Sequence, residues 1–218
     1  MPEPGSTGAA GTASAAAAPA GLLRFALAAL ALCTLATAVA WKSGPALVSA
    51  LVPPTRWSMH QMEAGLAATA LSVEQGRSEQ VIRMRSRVVS PLVIGTQVVF
   101  PTGEDWFEIA TPLFGMLAPF VLAAGLAGAW PGSLALRLAR TALGGVLAVA
   151  WLMVDLPMSL LGFSWGALRD SHAPGVWYPS ILWLEFMHAG GRLAVGVLLA
   201  AVACLLLRPR GAGAPEAA

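Results

Sequence analysis

Charge is what this sequence has least of: Asp, Glu, Lys and Arg together make up 11% of 218 residues, against 57% hydrophobic. Soluble domains carry roughly a quarter charged residues. With a mean hydropathy of +0.71, most of this chain has lipid as its solvent. Lysine occurs once, at Lys42, while arginine, alanine and glycine abound, a usage that correlates with bacterial genomes rich in G and C. The formal net charge is only +2 and the arginines are thinly spread. That excludes the clustered basic patch needed for a phosphate backbone, so no nucleic-acid partner is expected. The two cysteines, Cys33 and Cys204, both sit inside apolar runs, which leaves a disulfide framework, a metal cluster or a cysteine nucleophile without support. No cofactor and no metal are expected.

What is present reads as an α-helical integral membrane protein, with four transmembrane helices and a small extracytoplasmic β-meander between helices one and two. Residues 1–20 are Gly, Ala, Ser, Thr and Pro with Glu3 as the single charge, a composition that buries no face and predicts a disordered cytoplasmic tail. Helix one occupies 21–42, where the run 22–40 matches the ~20 apolar residues a bilayer core requires. Ala38-Val39-Ala40 also has the form of a signal-peptide cleavage site. The n-region before Arg24, long and without a basic residue, argues against cleavage.

Residues 43–108 form the one water-facing domain. Pro53-Pro54 is expected to stop any helix, 57–68 to form a short interfacial helix, and 69–75, 80–89 and 92–100 to form three strands separated by turn chemistry. The segment 109–207 holds the remaining spans, at 109–130 with a kink at Pro119, at 141–163, and at 181–207; a cytoplasmic tail, 208–218, follows. Arg24, Arg137, Arg140, Arg208 and Arg210 fall on one side of these spans. The positive-inside rule then puts both termini in the cytoplasm of a bacterial inner membrane and the strands outside.

Ionisable groups inside spans cost ~2.5–3.5 kcal/mol on insertion scales, so each invites a functional reading. Asp155, Glu185, His188 and Arg192 qualify. Glu185, His188 and Arg192 are spaced i, i+3 and i+7, which places them on one helical face, and Asp155 of helix three is able to meet them as a proton path or polar site. The plainer reading starts helix four among the headgroups, with Arg192 simply paired to a carboxylate. Gly162-Phe163-Ser164-Trp165-Gly166 has the G-x-S-x-G pattern of a nucleophile elbow, but a membrane helix precedes it where a strand is needed; its glycines are expected to end helix three. His60 and Glu63, one turn apart, lack a third ligand for a metal.

In the middle strand Arg83, Arg85 and Arg87 alternate with Ile82, Met84 and Ser86, giving one cationic face that suits an acidic partner or lipid headgroups. Small residues recur at helix-packing spacing, among them Gly144, Ala148, Gly190 and Gly196, and imply close helix contact within the chain or between copies. The oligomeric state is left open.

The order of parts resembles the small exosortase H-associated membrane proteins: an N-terminal helix running into Trp41 and Pro45, alternating strands from Thr69 to Phe100, then a helix with Pro112 and Pro119. The resemblance covers most of 22–165 and rests on layout. It implies an accessory to a membrane-embedded protein-sorting transpeptidase and supplies no catalytic residues. The expectation is therefore a non-enzymatic accessory protein with the lipid bilayer and a membrane protein as partners. The alternative is a small membrane enzyme or transporter component built on the intramembrane polar cluster.

Overall fold

The computed structural model describes residues 17–77, 79–101, 103–104 and 107–208. Most of both expected tails, with Arg210, lies outside these residues. Helix α1 spans Ala17–Met62, 46 residues in one helix, about 69 Å at 1.5 Å per residue and more than twice the ~30 Å of a hydrocarbon core. The expected stop at Pro53-Pro54 is absent, and 57–62 form the last turns of α1 rather than a separate interfacial helix. Pro45, Pro53 and Pro54 withdraw the donors owed to the carbonyls of Trp41, Ser49 and Ala50. All three of those residues are exposed, so solvent can take the freed carbonyls. Along the same helix Ala40, Gly44, Val48, Leu51, Thr55 and Met59 form a buried stripe at helical spacing. Each fully buried apolar side chain there contributes about 1.5–3 kcal/mol, which offsets the proline cost. Earlier in α1, Leu22, Leu23, Leu27, Leu30 and Leu35 are exposed, as on a lipid-facing surface.

A short turn leads into the sheet: β1 (Leu66–Gln75) pairs with β2 (Gln80–Val88), and β2 with β5 (Phe107–Pro112), all antiparallel in the order β1-β2-β5. The third strand is therefore not 92–100, as periodicity suggested. That segment is a separate hairpin of β3 (Leu92–Ile94) and β4 (Gln97–Val99), turned at Gly95 with φ 62°, the left-handed backbone that tight two-residue hairpin loops need. β5 was hidden in what read as the start of a helix. Its alternation, with Ile109 and Thr111 buried and Glu108 and Ala110 exposed, is short and runs straight into an apolar stretch.

Helix α2 (Leu113–Ala129) begins immediately after β5, with Pro112 as its N-cap, four residues later than expected. Helix α3 spans Leu134–His172 where 141–163 was expected. Ser133 caps its start, accepting from Leu136 N at 3.4 Å, and Arg137 and Arg140 become helical. Gly162 does not end α3; a Cβ there would stand 2.4 Å from the Ser180 carbonyl oxygen, so this glycine permits close helix approach. The last helix is broken: α4 (Pro179–Phe186), a π-helical turn over Met187–Gly191, and α5 (Arg192–Leu206). Gly190 sits at the break with φ 110°, a conformation costly to any residue with a Cβ.

Three helical units, α1, α3 and α4 through α5, are long and apolar enough to cross a membrane, and α2 is a shorter apolar helix of 17 residues. One continuous apolar core runs from the helices into the sheet, joining Leu117, Leu156 and Leu160 to Ile82, Met84 and Val88. At the end away from the sheet, Phe25 meets Trp130 edge-on at 6.0 Å and Arg140 donates to the Pro131 carbonyl at 3.0 Å. The arginines of that end are thus gathered by packing.

Close packing between α2 and α3 makes a quantitative expectation. A Cβ at Gly144 would stand 2.8 Å from the Ala123 carbonyl oxygen, whereas one at Gly145 meets only a Phe120 ring atom at 3.4 Å. Gly144→Val should lower unfolding stability in detergent by about 1–3 kcal/mol. Gly145→Ala should leave it unchanged or raise it by up to about 1 kcal/mol. Equal effects of the two would remove the close contact.

Candidate functional site

The polar groups foreseen inside the helices divide into two sets. Asp155 on α3 is fully buried and Arg192, the first residue of α5, is 6% exposed; Arg192 Nε donates to Asp155 Oδ2 at 2.9 Å. Ser159, one turn along α3, donates to Asp155 Oδ1 at 2.9 Å and accepts from Arg192 Nη2 at 2.9 Å. Trp183 of α4 donates its indole N–H to Asp155 Oδ1 at 3.0 Å, its ring held by stacking on Trp151 at 5.6 Å. Both carboxylate oxygens and two guanidinium nitrogens are committed. A buried ion pair recovers its desolvation cost only when its remaining donors and acceptors are also satisfied; Ser159 and Trp183 do this for the carboxylate and for Arg192 Nη2, while the Trp151 indole N–H beside them is buried without a partner among the described residues. The result is a network that ties α3, α4 and α5 together.

Glu185 and His188 are exposed and do not join it; the His188 ring lies edge-on to Phe163 at 5.6 Å. The i, i+3, i+7 argument assumed 3.6 residues per turn throughout. The π turn widens the helix and the positive φ of Gly190 bends it, so Arg192 rotates inward while residues 185 and 188 stay outside. Ser159 and Trp183 were missed. Ser159 was signalled by its i+4 spacing from Asp155, whereas nothing in sequence marks one tryptophan among eight as a carboxylate donor.

On the outer face of the sheet Arg83, Arg85 and Arg87 do share one side, but Glu74 of β1 and Glu108 of β5 stand among them. Arg83 lies between the two carboxylates, with Nε 2.8 Å from Glu74 Oε2 and Nη1 against Glu108 Oε1, and Arg85 Nε reaches Glu108 Oε2 at 2.9 Å. Arg85 and Glu108 are direct cross-strand partners, the geometry in which opposite charges stabilise a sheet. Two guanidinium charges are thereby balanced. Arg87 makes no ion pair with a described residue.

Two weaker candidates resolve simply. The Ser164 hydroxyl donates to the Leu160 carbonyl at 2.9 Å from within α3, so it is neither on a strand-to-helix elbow nor beside a base. Glu63 accepts from Gly65 N at 3.4 Å just past the end of α1, and no three His, Cys, Asp or Glu residues converge for a metal among the described residues. A cleft of about 430 Å³ opens where α1, β3, α3 and α4 meet, lined by Met62, Leu92, Met158, Trp165 and Tyr178 among others; Trp165 and Tyr178 stack at 4.1 Å across it.

The class is a mainly helical protein with three helices long and apolar enough to cross a membrane, and a small sheet at one end. Compared with family models, curated proteins and solved structures, the chain gives no match.

The Asp155–Arg192 pair makes its own forecast. Arg192→Met strands a buried carboxylate and should cost about 3–5 kcal/mol of unfolding stability, measured in detergent by tryptophan fluorescence. The double replacement Asp155→Leu with Arg192→Met should cost less than Arg192→Met alone. Strictly additive losses would show that the two side chains are not paired.

Proposed function

We propose that this chain is a non-enzymatic accessory protein of a bacterial inner membrane, presenting its sheet outside the bilayer to a membrane-protein partner. The observation that carries this reading is the mounting of the sheet. β5 passes into α2 with no linker, since Pro112 ends one and Leu113 begins the other. At the other edge only residues 63–65 separate α1 from β1, and the apolar core is continuous across the junction. A sheet held this way is a fixed platform, as a docking surface requires to limit ordering costs on binding.

In this reading α1, α2, α3 and the α4–α5 unit make four passes. Both termini lie in the cytoplasm, since Arg24, Arg137, Arg140 and Arg208 share the end opposite the sheet. The partner is a multi-span protein; the layout resemblance makes a membrane protein-sorting transpeptidase the specific case to test. Arg87, beside the neutralised Arg83 and Arg85, is the cation on the platform best placed to meet a partner's carboxylate. Asp155 accepts from Ser159, Trp183 and Arg192, which favours a structural part for it in this reading.

The test is affinity recovery of the tagged full chain from mild detergent, with mass spectrometry of what remains bound. A multi-span protein should be recovered in stoichiometric amount from wild type, and Arg87→Glu should reduce that recovery several-fold while the sheet stays folded. Recovery of the chain alone, joined to loss of a cellular phenotype in Glu185→Ala or His188→Ala at normal protein level, would overturn the accessory reading in favour of a small membrane enzyme or transporter.

A further inference from the structure

At the end opposite the sheet a second cavity of about 430 Å³ is lined by Trp130, Arg140, Ala201, Cys204, Leu205 and Arg208. Arg140 is only 4% exposed, yet it has no ion pair with a described carboxylate. Its Nη1 donates to the Pro131 carbonyl at 3.0 Å, its Nη2 lies 3.5 Å from the Leu207 carbonyl, and its Nε has no partner. Those carbonyls follow the C-terminal ends of α2 and α5, whose dipoles favour a cation. Dipoles hold the guanidinium in place without neutralising it. Asp155 shows the contrast, since this same chain gives its other buried arginine a carboxylate.

From this geometry we infer that the cavity is a binding site for an anionic glycerophospholipid, whose phosphate sits between Arg140 and Arg208. Three features fit that occupant. Among the described residues the lining contains two guanidiniums and no acid, and a guanidinium fork suits phosphate oxygens. The remaining wall is apolar, with Ala201 and Leu205 on the exposed side of α5, where an acyl chain can run along the helix. Trp130, 50% exposed at the rim, has the amphipathic ring found at headgroup level. Basic pockets between helices on the cytoplasmic side are where anionic headgroups bind. The site rests on the reading of these helices as spans, and on nothing assumed about a protein partner.

The experiment uses the full chain, delipidated in dodecyl maltoside and titrated with phosphatidylglycerol, phosphatidylcholine or inorganic phosphate, with bound lipid counted by native mass spectrometry. Phosphatidylglycerol should be retained in preference to phosphatidylcholine. Arg208→Gln, an exposed and structurally mild change, should weaken retention about fivefold, and Arg140→Gln further. Arg24→Gln, exposed at the same end and outside the cavity lining, should have no effect. Equal retention of the two lipids, or an Arg208→Gln variant as competent as wild type, would overturn the site. Competition by millimolar inorganic phosphate without any lipid selectivity would also overturn it, assigning the arginines to a soluble anion. Failure of the chain to stay with liposomes through an alkaline carbonate wash would instead sink the reading of the helices as spans.

Discussion

Asp155 and Arg192 are separated by 37 positions in the chain and meet where water does not reach, and much of the helical arrangement follows from that meeting. Two opposite charges in a low-dielectric interior attract strongly but lose their hydration, so the pair survives only with further hydrogen bonds. Ser159 supplies one from the same helix and Trp183 another from α4. Meeting this condition fixes three helical segments at once. It also accounts for the break in the last helix: a straight helix carrying Glu185, His188 and Arg192 on one face cannot expose the first two and bury the third.

At its sheet end the bundle shares one apolar core with the strands. The second half of α1 presents a buried stripe to the core, and β5 and α2 share a junction without a loop. Prolines that would end a helix in isolation are accommodated while the residues whose carbonyls they orphan are exposed and a neighbouring stripe is packed.

Charge is distributed by the same economy. On the sheet, Glu74 and Glu108 are drawn between Arg83 and Arg85, so a face that sequence alone presents as three cations is mostly a neutral ladder. Within the helices, Asp155 takes the charge of Arg192. Arg140 is the exception, a buried guanidinium steadied by backbone carbonyls at the ends of two helices. With no carboxylate partner among the described residues, it gives the cavity beside it a chemical character that the apolar grooves elsewhere on the bundle do not have.

Residue chemistry by itself determined the class. Scarce charge and long apolar runs leave lipid as the solvent, and strict alternation through 80–88 specifies a strand with arginines on one side, because both signals are local and repeat with the period of the element. Tertiary structure decided what local signals cannot carry. The passage of α1 through Pro53 and Pro54 depends on which of its residues are packed and which are exposed. The choice of 107–112 over 92–100 as the third strand depends on which segment reaches the free edge of β2. The inward turn of Arg192 depends on one wide turn and a left-handed glycine, and the isolation of Arg140 on two helix ends that are distant in sequence. Each of these is a property of neighbours in space, and a single chain read in order has no term for them.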